Sequence, residues 1–263
     1  MKKILAMLVT LMLLCAASCG KSDETSVESG RQKRTDIVSS ADDVSKKGSE
    51  NISDSTSENS VEISQSVSEQ TDNSDAEENE SSKILIAYFS LGENIGLSED
   101  VDADASVSIT TVNGNVSGNT GVIADYIRQA TGGDTFSIIT EYYYPENYDE
   151  TVDLGQEEQS ENVRPKLVSH IENFEEYDTV FVGYPNWWFD MPMAMYSFFD
   201  EYDFSGKTII PFVTSGGSGF SETENTIRQL EPEANVLDGL AVYYTDVEGA
   251  QSEVDDWIKG LDL

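Results

Sequence analysis

The chain has 263 residues, of which 50 are Asp or Glu and 15 are Lys or Arg, giving a formal charge of −35 at neutral pH. So acidic a chain repels phosphate backbones, which argues against nucleic-acid partners and favours basic or cationic ones. Both cysteines, Cys15 and Cys19, lie near the amino terminus, so the rest of the chain has no thiol for a disulfide, a zinc-thiolate centre or a cysteine nucleophile.

Residues 1–19 open with Met-Lys-Lys, run apolar from Ile4 to Leu14 and end Cys15-Ala-Ala-Ser-Cys19. That is the charged start, apolar middle and small-residue exit of an export signal, and the apolar run is short for a membrane span. Ala16, Ala17 and Ser18 before Cys19 resemble the lipobox of bacterial lipoproteins, with Ala16 where that pattern prefers Leu. The resemblance implies cleavage before Cys19, a diacylglycerol on its thiol and a lipid anchor at the outer face of a cell membrane. Residues 20–82 are rich in Ser, Glu, Asp, Asn and Thr and have no aromatic residue or Pro. Such a segment buries too little apolar surface to offset its ordering entropy, so it reads as a disordered acidic tether. A coil of that length spans about 40 Å. Arg31, Lys33 and Arg34 read as a solvated charge cluster on it.

A folded domain is expected over residues 83–263. Lys83 to Phe89 is a short apolar run suited to a central parallel strand, with Ser90 at its carboxyl end. Residues 91–117 read as a polar insertion, with a small hairpin strand over Ser106–Val112. A helix begins in Gly118-Asn119-Thr120, carries Val122, Ile123, Tyr126 and Ile127 on one face, and ends at Gly132-Gly133. Asp134 to Thr140 is a second strand, and the polar region after Tyr148 reads as helical to about His170. The single His, at a helix end and without partners at ligand spacing, gives no reason to expect a metal.

Asp178 to Tyr184 is a third strand and leads into Pro185-Asn186-Trp187-Trp188-Phe189-Asp190-Met191-Pro192, followed by a helix over Met193–Tyr202 with Pro192 at its first turn. Lys207 to Thr214 is a fourth strand, Ser215-Gly216-Gly217-Ser218-Gly219 a loop, and Glu222–Leu230 a helix. Asn235 to Tyr244 is a fifth strand, and Gly249–Leu261 a closing helix. Strands alternating with helices imply βαβ units and a parallel sheet. Ligands of such sheets bind outside the carboxyl ends of the strands.

Three loops share that edge. Ser90 with Gly118, Asn119 and Thr120 offers hydroxyls and a helix N-terminus for an anion. Pro185, Asn186, Trp187, Trp188 and Met191 offer aromatic faces. Thr214, Ser215, Gly216, Gly217 and Gly219 offer backbone that can approach a ring edge. A phosphate joined to a flat ring system is FMN.

Gly183-Tyr-Pro-Asn-Trp-Trp188, Glu201-Tyr-Asp-Phe-Ser-Gly-Lys-Thr-Ile-Ile-Pro211 and Thr214-Ser-Gly-Gly-Ser-Gly-Phe220 resemble the flavodoxin-like superfamily, specifically the short flavodoxin-domain group of bacterial lipoproteins. The resemblance covers Lys83 to Leu263. It implies a three-layer α/β sandwich with a five-stranded parallel sheet of order 2-1-3-4-5, and non-covalent FMN held by the fourteen loop residues just named. The insertion at 91–117 departs from the compact phosphate loop of ordinary flavodoxins. Ser215 stands where relatives often carry His, so the role of that His does not transfer.

The expected function is electron transfer to or from a redox protein or a small-molecule acceptor. One alternative is an FMN-dependent NAD(P)H reductase of quinones, azo compounds or flavins, although no Gly-x-Gly-x-x-Gly fingerprint follows a strand. Another is a surface lipoprotein that has lost its cofactor. Paired carboxylates such as Glu157-Glu158 carry no hydrolase signal, because adjacent helix positions do not face each other.

Overall fold

Strand β7 (Thr179–Pro185) is buried along its whole length, as expected of a central parallel strand covered on both faces. It pairs in parallel with β2 (Ile84–Tyr88) on one side and β8 (Thr208–Ser215) on the other. The sheet is completed by β5 (Asp134–Ser137) beside β2 and by β10 (Leu240–Tyr243) beside β8. These five strands have the order 2-1-3-4-5 expected from the sequence. The computed structural model describes residues 31–34, 83–96, 108–112, 115–261 and 263. The expected export signal, Cys19 and most of the expected tether therefore lie outside the described residues.

Side chains alternate across the sheet with period two. Leu85, Ala87, Val180, Val182, Ile209 and Val213 face one buried cluster, while Ile86, Phe181, Ile210 and Phe212 face the other. The first cluster is closed by α3 (Tyr148–Glu161), α4 (Met193–Glu201) and α5 (Thr223–Leu230), through Leu154, Phe198 and Ile227. The second is closed by α2 (Asn119–Thr131) and α6 (Gln251–Gly260), through Ile123, Ile127 and Val254. The result is three layers. Gly183 is set by close approach, since a Cβ there would lie 2.0 Å from the Phe212 ring.

The insertion contains the short helix α1 (Leu91–Asn94) and an antiparallel hairpin of β3 (Ile109–Val112) and β4 (Asn115–Gly118). The fifth strand is interrupted. The short β9 (Asn235–Val236) pairs with the start of β8, and pairing resumes only at Leu240. The gap faces Pro211, which has no N–H to donate, and Gly239 packs so tightly there that a Cβ would meet the Pro211 carbonyl oxygen at 2.2 Å.

Two expectations are corrected. The helix after Tyr148 stops at Glu161, well before His170, because Asn162 turns left-handed (φ 53°) and Pro165 disfavours helical backbone at Arg164. His170 is thus an exposed coil residue, its Nδ1 2.5 Å from Glu201 Oε1. The second correction concerns the cluster Arg31–Arg34. Gln32–Lys33 form strand β1, antiparallel to β6 (Tyr142–Tyr143), so the cluster docks on the domain.

Beyond the carboxyl end of α5, burial raises the Glu231 pKa to about 7, with Asp203 and Asp200 adding repulsion. A carboxyl whose folded pKa is raised stabilises the fold fully below its unfolded pKa, and that stability is lost as pH rises through the folded value. Urea unfolding should therefore show Glu231→Gln more stable than wild type at pH 8 and equal to it at pH 4. Equal stability at pH 8 contradicts the assignment.

Candidate functional site

The carboxyl ends of β2, β7 and β8 bring the three predicted loops to one edge. Thr120 Oγ1 and Thr214 Oγ1 are 2.9 Å apart, joining the first loop to the third. The Asn186 amide N–H donates to the Thr214 carbonyl at 2.9 Å and its side-chain Nδ2 donates to the Gly219 carbonyl at 2.9 Å, joining the second to the third. The Ser215 hydroxyl accepts from the N–H groups of Gly217 and Gly219, at 3.3 and 3.0 Å, so it shapes the glycine turn itself.

A cavity of about 550 Å³ opens here, within the range typical of small-molecule sites. One wall is α3, through Tyr148, Thr151, Val152 and Gly155. The other is formed by residues 186–189 and 216–218, with Leu91 and Ser108 also contributing. Of the predicted residues, Asn186, Trp187, Trp188, Gly216 and Gly217 line it. Ser90, Asn119, Thr120, Met191, Thr214 and Ser215 are buried and do not line it, nor do the buried Gly118 and Pro185, while Gly219 anchors Asn186.

The two indoles have different surroundings. Trp187 meets Tyr144 and Phe89 edge to face at centroid distances of 5.3 and 5.5 Å, and its Nε1 donates to Ser108 Oγ at 3.3 Å. Gly155 lets α3 lie against its face, since a Cβ there would sit 3.3 Å from Trp187 Cε3. Trp188 is 41% exposed and Phe189 72% exposed. Reciprocal backbone hydrogen bonds between Trp187 and Asp190, at 2.9 and 3.0 Å, make these two aromatics the centre of a two-residue turn with φ of 54° and 64°. Positive φ at both central positions is the backbone of a type I′ turn, which usually takes Asn-Gly. Bulky residues there store about 1–2 kcal/mol each. Trp188 Nε1 is held by the Val152 carbonyl at 2.9 Å.

At the helix-start end Ser90 Oγ, on a residue 1% exposed, has no hydrogen-bond partner among the described residues. Gly118 has room only as glycine, because a Cβ would lie 1.7 Å from that oxygen. The sequence reading missed Glu93, whose Oε1 would be 2.6 Å from a Cβ on Gly121 in the first turn of α2. Burial raises the Glu93 pKa, against lowering by nearby Ser90, its own backbone N–H and Tyr88. A second missed carboxyl, Glu158, is buried behind the aromatic wall and accepts from the hydroxyls of Tyr142 and Tyr144, the latter at 3.0 Å. Only its place in a helix of many acidic residues was visible in the sequence. Among the described residues no three His, Cys, Asp or Glu side chains gather as a metal site.

The family model for flavodoxin matches residues 109–261. The chain belongs to the flavodoxin family. Among solved structures, this flavodoxin-family domain is similar to a Bacteroides uniformis protein classed as a flavoprotein, at 27% identity and a TM-score of 0.52 over 68% of this chain and 98% of that one. A Bacteroides eggerthii counterpart gives 25% identity and a TM-score of 0.51 over 70% and 99%. A flavoprotein of Lactobacillus acidophilus in complex with FMN gives 18% identity and a TM-score of 0.48 over 68% and 99%. No curated protein matches the sequence.

The surroundings of the turn predict opposite effects on stability. Trp187→Ala removes a side chain packed on three sides and should cost on the order of 3 kcal/mol in urea unfolding. Phe189→Gly removes an exposed ring from a left-handed position and should gain about 1 kcal/mol.

Proposed function

We propose that this flavodoxin-family protein binds FMN in the cavity and works as an electron carrier, held at the outer face of a bacterial membrane by a lipid on Cys19. The observation that carries the cofactor reading is the cavity itself, with indole and phenol faces on its walls and the bare backbone of Gly216 and Gly217 at its edge. These features suit a flat, uncharged ring system. Family membership suggests a flavin. The anchor is supported by residues 1–19 alone.

Flavin, when bound, supplies the redox chemistry, and the chain holds and tunes it. Trp187 is fixed from behind by Phe89 and Tyr144 and gives a rigid wall. Trp188 and Phe189 form an exposed aromatic lip. Asp149 and Glu150 in the first turn of α3 put negative charge near the mouth, which disfavours added negative charge inside and favours a basic partner outside. Asp190 is held by Tyr196, whose hydroxyl lies 2.9 and 3.0 Å from its two oxygens. At the phosphate end, Ser90 offers a donor, while Glu93, when ionised, opposes an anion at the start of α2.

Quenching of tryptophan fluorescence on titration with FMN tests the reading, and no binding at millimolar FMN rejects it. Trp188→Ala should weaken FMN and riboflavin alike by about three- to tenfold, the worth of one aromatic contact. Glu93→Gln should strengthen FMN and leave riboflavin unchanged, because only FMN carries the charge that Glu93 opposes. Anaerobic redox titration of the loaded protein should give a potential below that of free FMN.

A further inference from the structure

Residues 31–34 lie across the domain far from where their place in the sequence would put them. Gln32 pairs with Tyr143 and Lys33 with Tyr142, and the Arg34 amide donates to the Glu141 carbonyl at 3.2 Å. The two flanking arginines make the specific contacts. Arg34 Nε donates to the Thr140 carbonyl at 2.7 Å, and its Nη2 to the Glu93 carbonyl and to Asn94 Oδ1, both at 3.1 Å. Its guanidinium lies 4.1 Å from the centre of the Tyr143 ring. Arg31 lies 5.0 Å from the Tyr142 ring centre, with Nη2 3.5 Å from Glu158 Oε1. Tyr142 and Tyr143 point to opposite faces of β6, and one arginine lies over each ring. Gln32 and Lys33 remain exposed.

We propose that the edge of β6, together with Glu158 and Asn94, is a docking site for an extended Arg-x-x-Arg peptide, that residues 31–34 of the same chain fill it, and that filling it fixes the wall of the ring cavity. The planar fork of arginine suits the Arg34 end, where three acceptors converge and a lysine ammonium would lose the shared geometry. At the other end Glu158 is buried, with two phenol hydroxyls as donors, and Arg31 is the cation beside it among the described residues. A buried carboxylate without a counter-charge is costly, so its environment changes when the strap leaves.

The link to the cavity is contiguous. Glu158 holds the Tyr144 hydroxyl, and the Tyr144 ring packs on Trp187. Asn94, which Arg34 contacts, is completely buried and ties α1 to the neighbouring chain, donating to the carbonyls of Ser90 and Ile138 and accepting from the Thr140 amide. Both ends of the strap therefore bear on segments that bound the cavity, Tyr144 behind Trp187 and α1 with its lining residue Leu91.

The strap contacts involve no ligand, so the measurements are made on the flavin-free protein. In the full chain, hydrogen exchange followed by mass spectrometry should show residues 31–34 and 141–143 protected. Arg31→Ala/Arg34→Ala should speed exchange in both segments at least tenfold. Adding acetyl-Arg-Gln-Lys-Arg-amide should restore protection at 141–143 in that variant, and acetyl-Lys-Gln-Lys-Lys-amide should not. If the variant does not fold, the wild-type chain serves, since excess arginine peptide should displace residues 31–34 and speed their exchange. Unprotected residues 31–34 in the wild-type chain overturn the docking. For the cavity wall, Trp188→Phe/Trp257→Phe leaves Trp187 as the sole indole. Its emission should shift to longer wavelength when the two arginine substitutions are added, and unchanged emission overturns the coupling.

Discussion

Thr214, at the carboxyl end of β8, is the residue on which the three loops meet. Its hydroxyl faces Thr120 at the start of α2, and its carbonyl accepts the amide of Asn186 at the start of the aromatic loop. It is completely buried, so each of these polar groups needs a partner within the protein, and leaving one unpaired costs about 1–3 kcal/mol. The requirement is met only when the ends of β2, β7 and β8 stand side by side, which the parallel pairing of the sheet ensures. Sheet order and site geometry are therefore one constraint seen from two sides.

Around that fixed point the cavity has a rigid half and a strained half. Trp187 belongs to a packed aromatic group whose far side ends in the Tyr142, Tyr144 and Glu158 hydrogen bonds. Burial pushes up the pKa of the tyrosines and of Glu158 alike, and for the carboxyl the two phenol donors and Arg31 offset part of that rise. Trp188 and Phe189, by contrast, sit at the tip of a turn whose backbone suits glycine and asparagine. Strain of this kind persists where the surrounding structure imposes it. Here the reciprocal hydrogen bonds of Trp187 and Asp190 and the grip of Val152 on the Trp188 indole do so.

Much of this was legible in the sequence because it is periodic. Apolar runs with short alternating faces marked the five strands, and Val122, Ile123 and Ile127 marked the inner face of α2. The site loops followed from strand ends and from Trp187-Trp188, since in an α/β sheet those ends share an edge. Features resting on a single side chain were not legible. Glu93 and Glu158 are two carboxylates among 50 acidic residues, and nothing in their local pattern sets them apart from solvated ones. The helix after Tyr148 was read too long because polar residues without a strong apolar stripe hide a left-handed stop at Asn162. The Arg31 and Arg34 contacts span 127 and 106 positions of the chain, to Glu158 and Thr140. Local composition holds no trace of such pairings.

The docking of β1 on β6 turns the segment between Arg34 and Lys83 from a tail into a closed ring of chain. Closing a loop of about 50 residues costs roughly 3 kcal/mol and grows only slowly with length. The opposing attraction, three hydrogen bonds from the Arg34 guanidinium and two guanidinium-on-ring contacts, is on the order of 5–10 kcal/mol before the side-chain entropy it costs. Added salt or a competing cation acts on the charged part of that attraction. With β1 seated on β6, the chain joins the folded body at Arg31 rather than at Lys83, so residues 20–30 alone set the covalent separation of Cys19 from the domain.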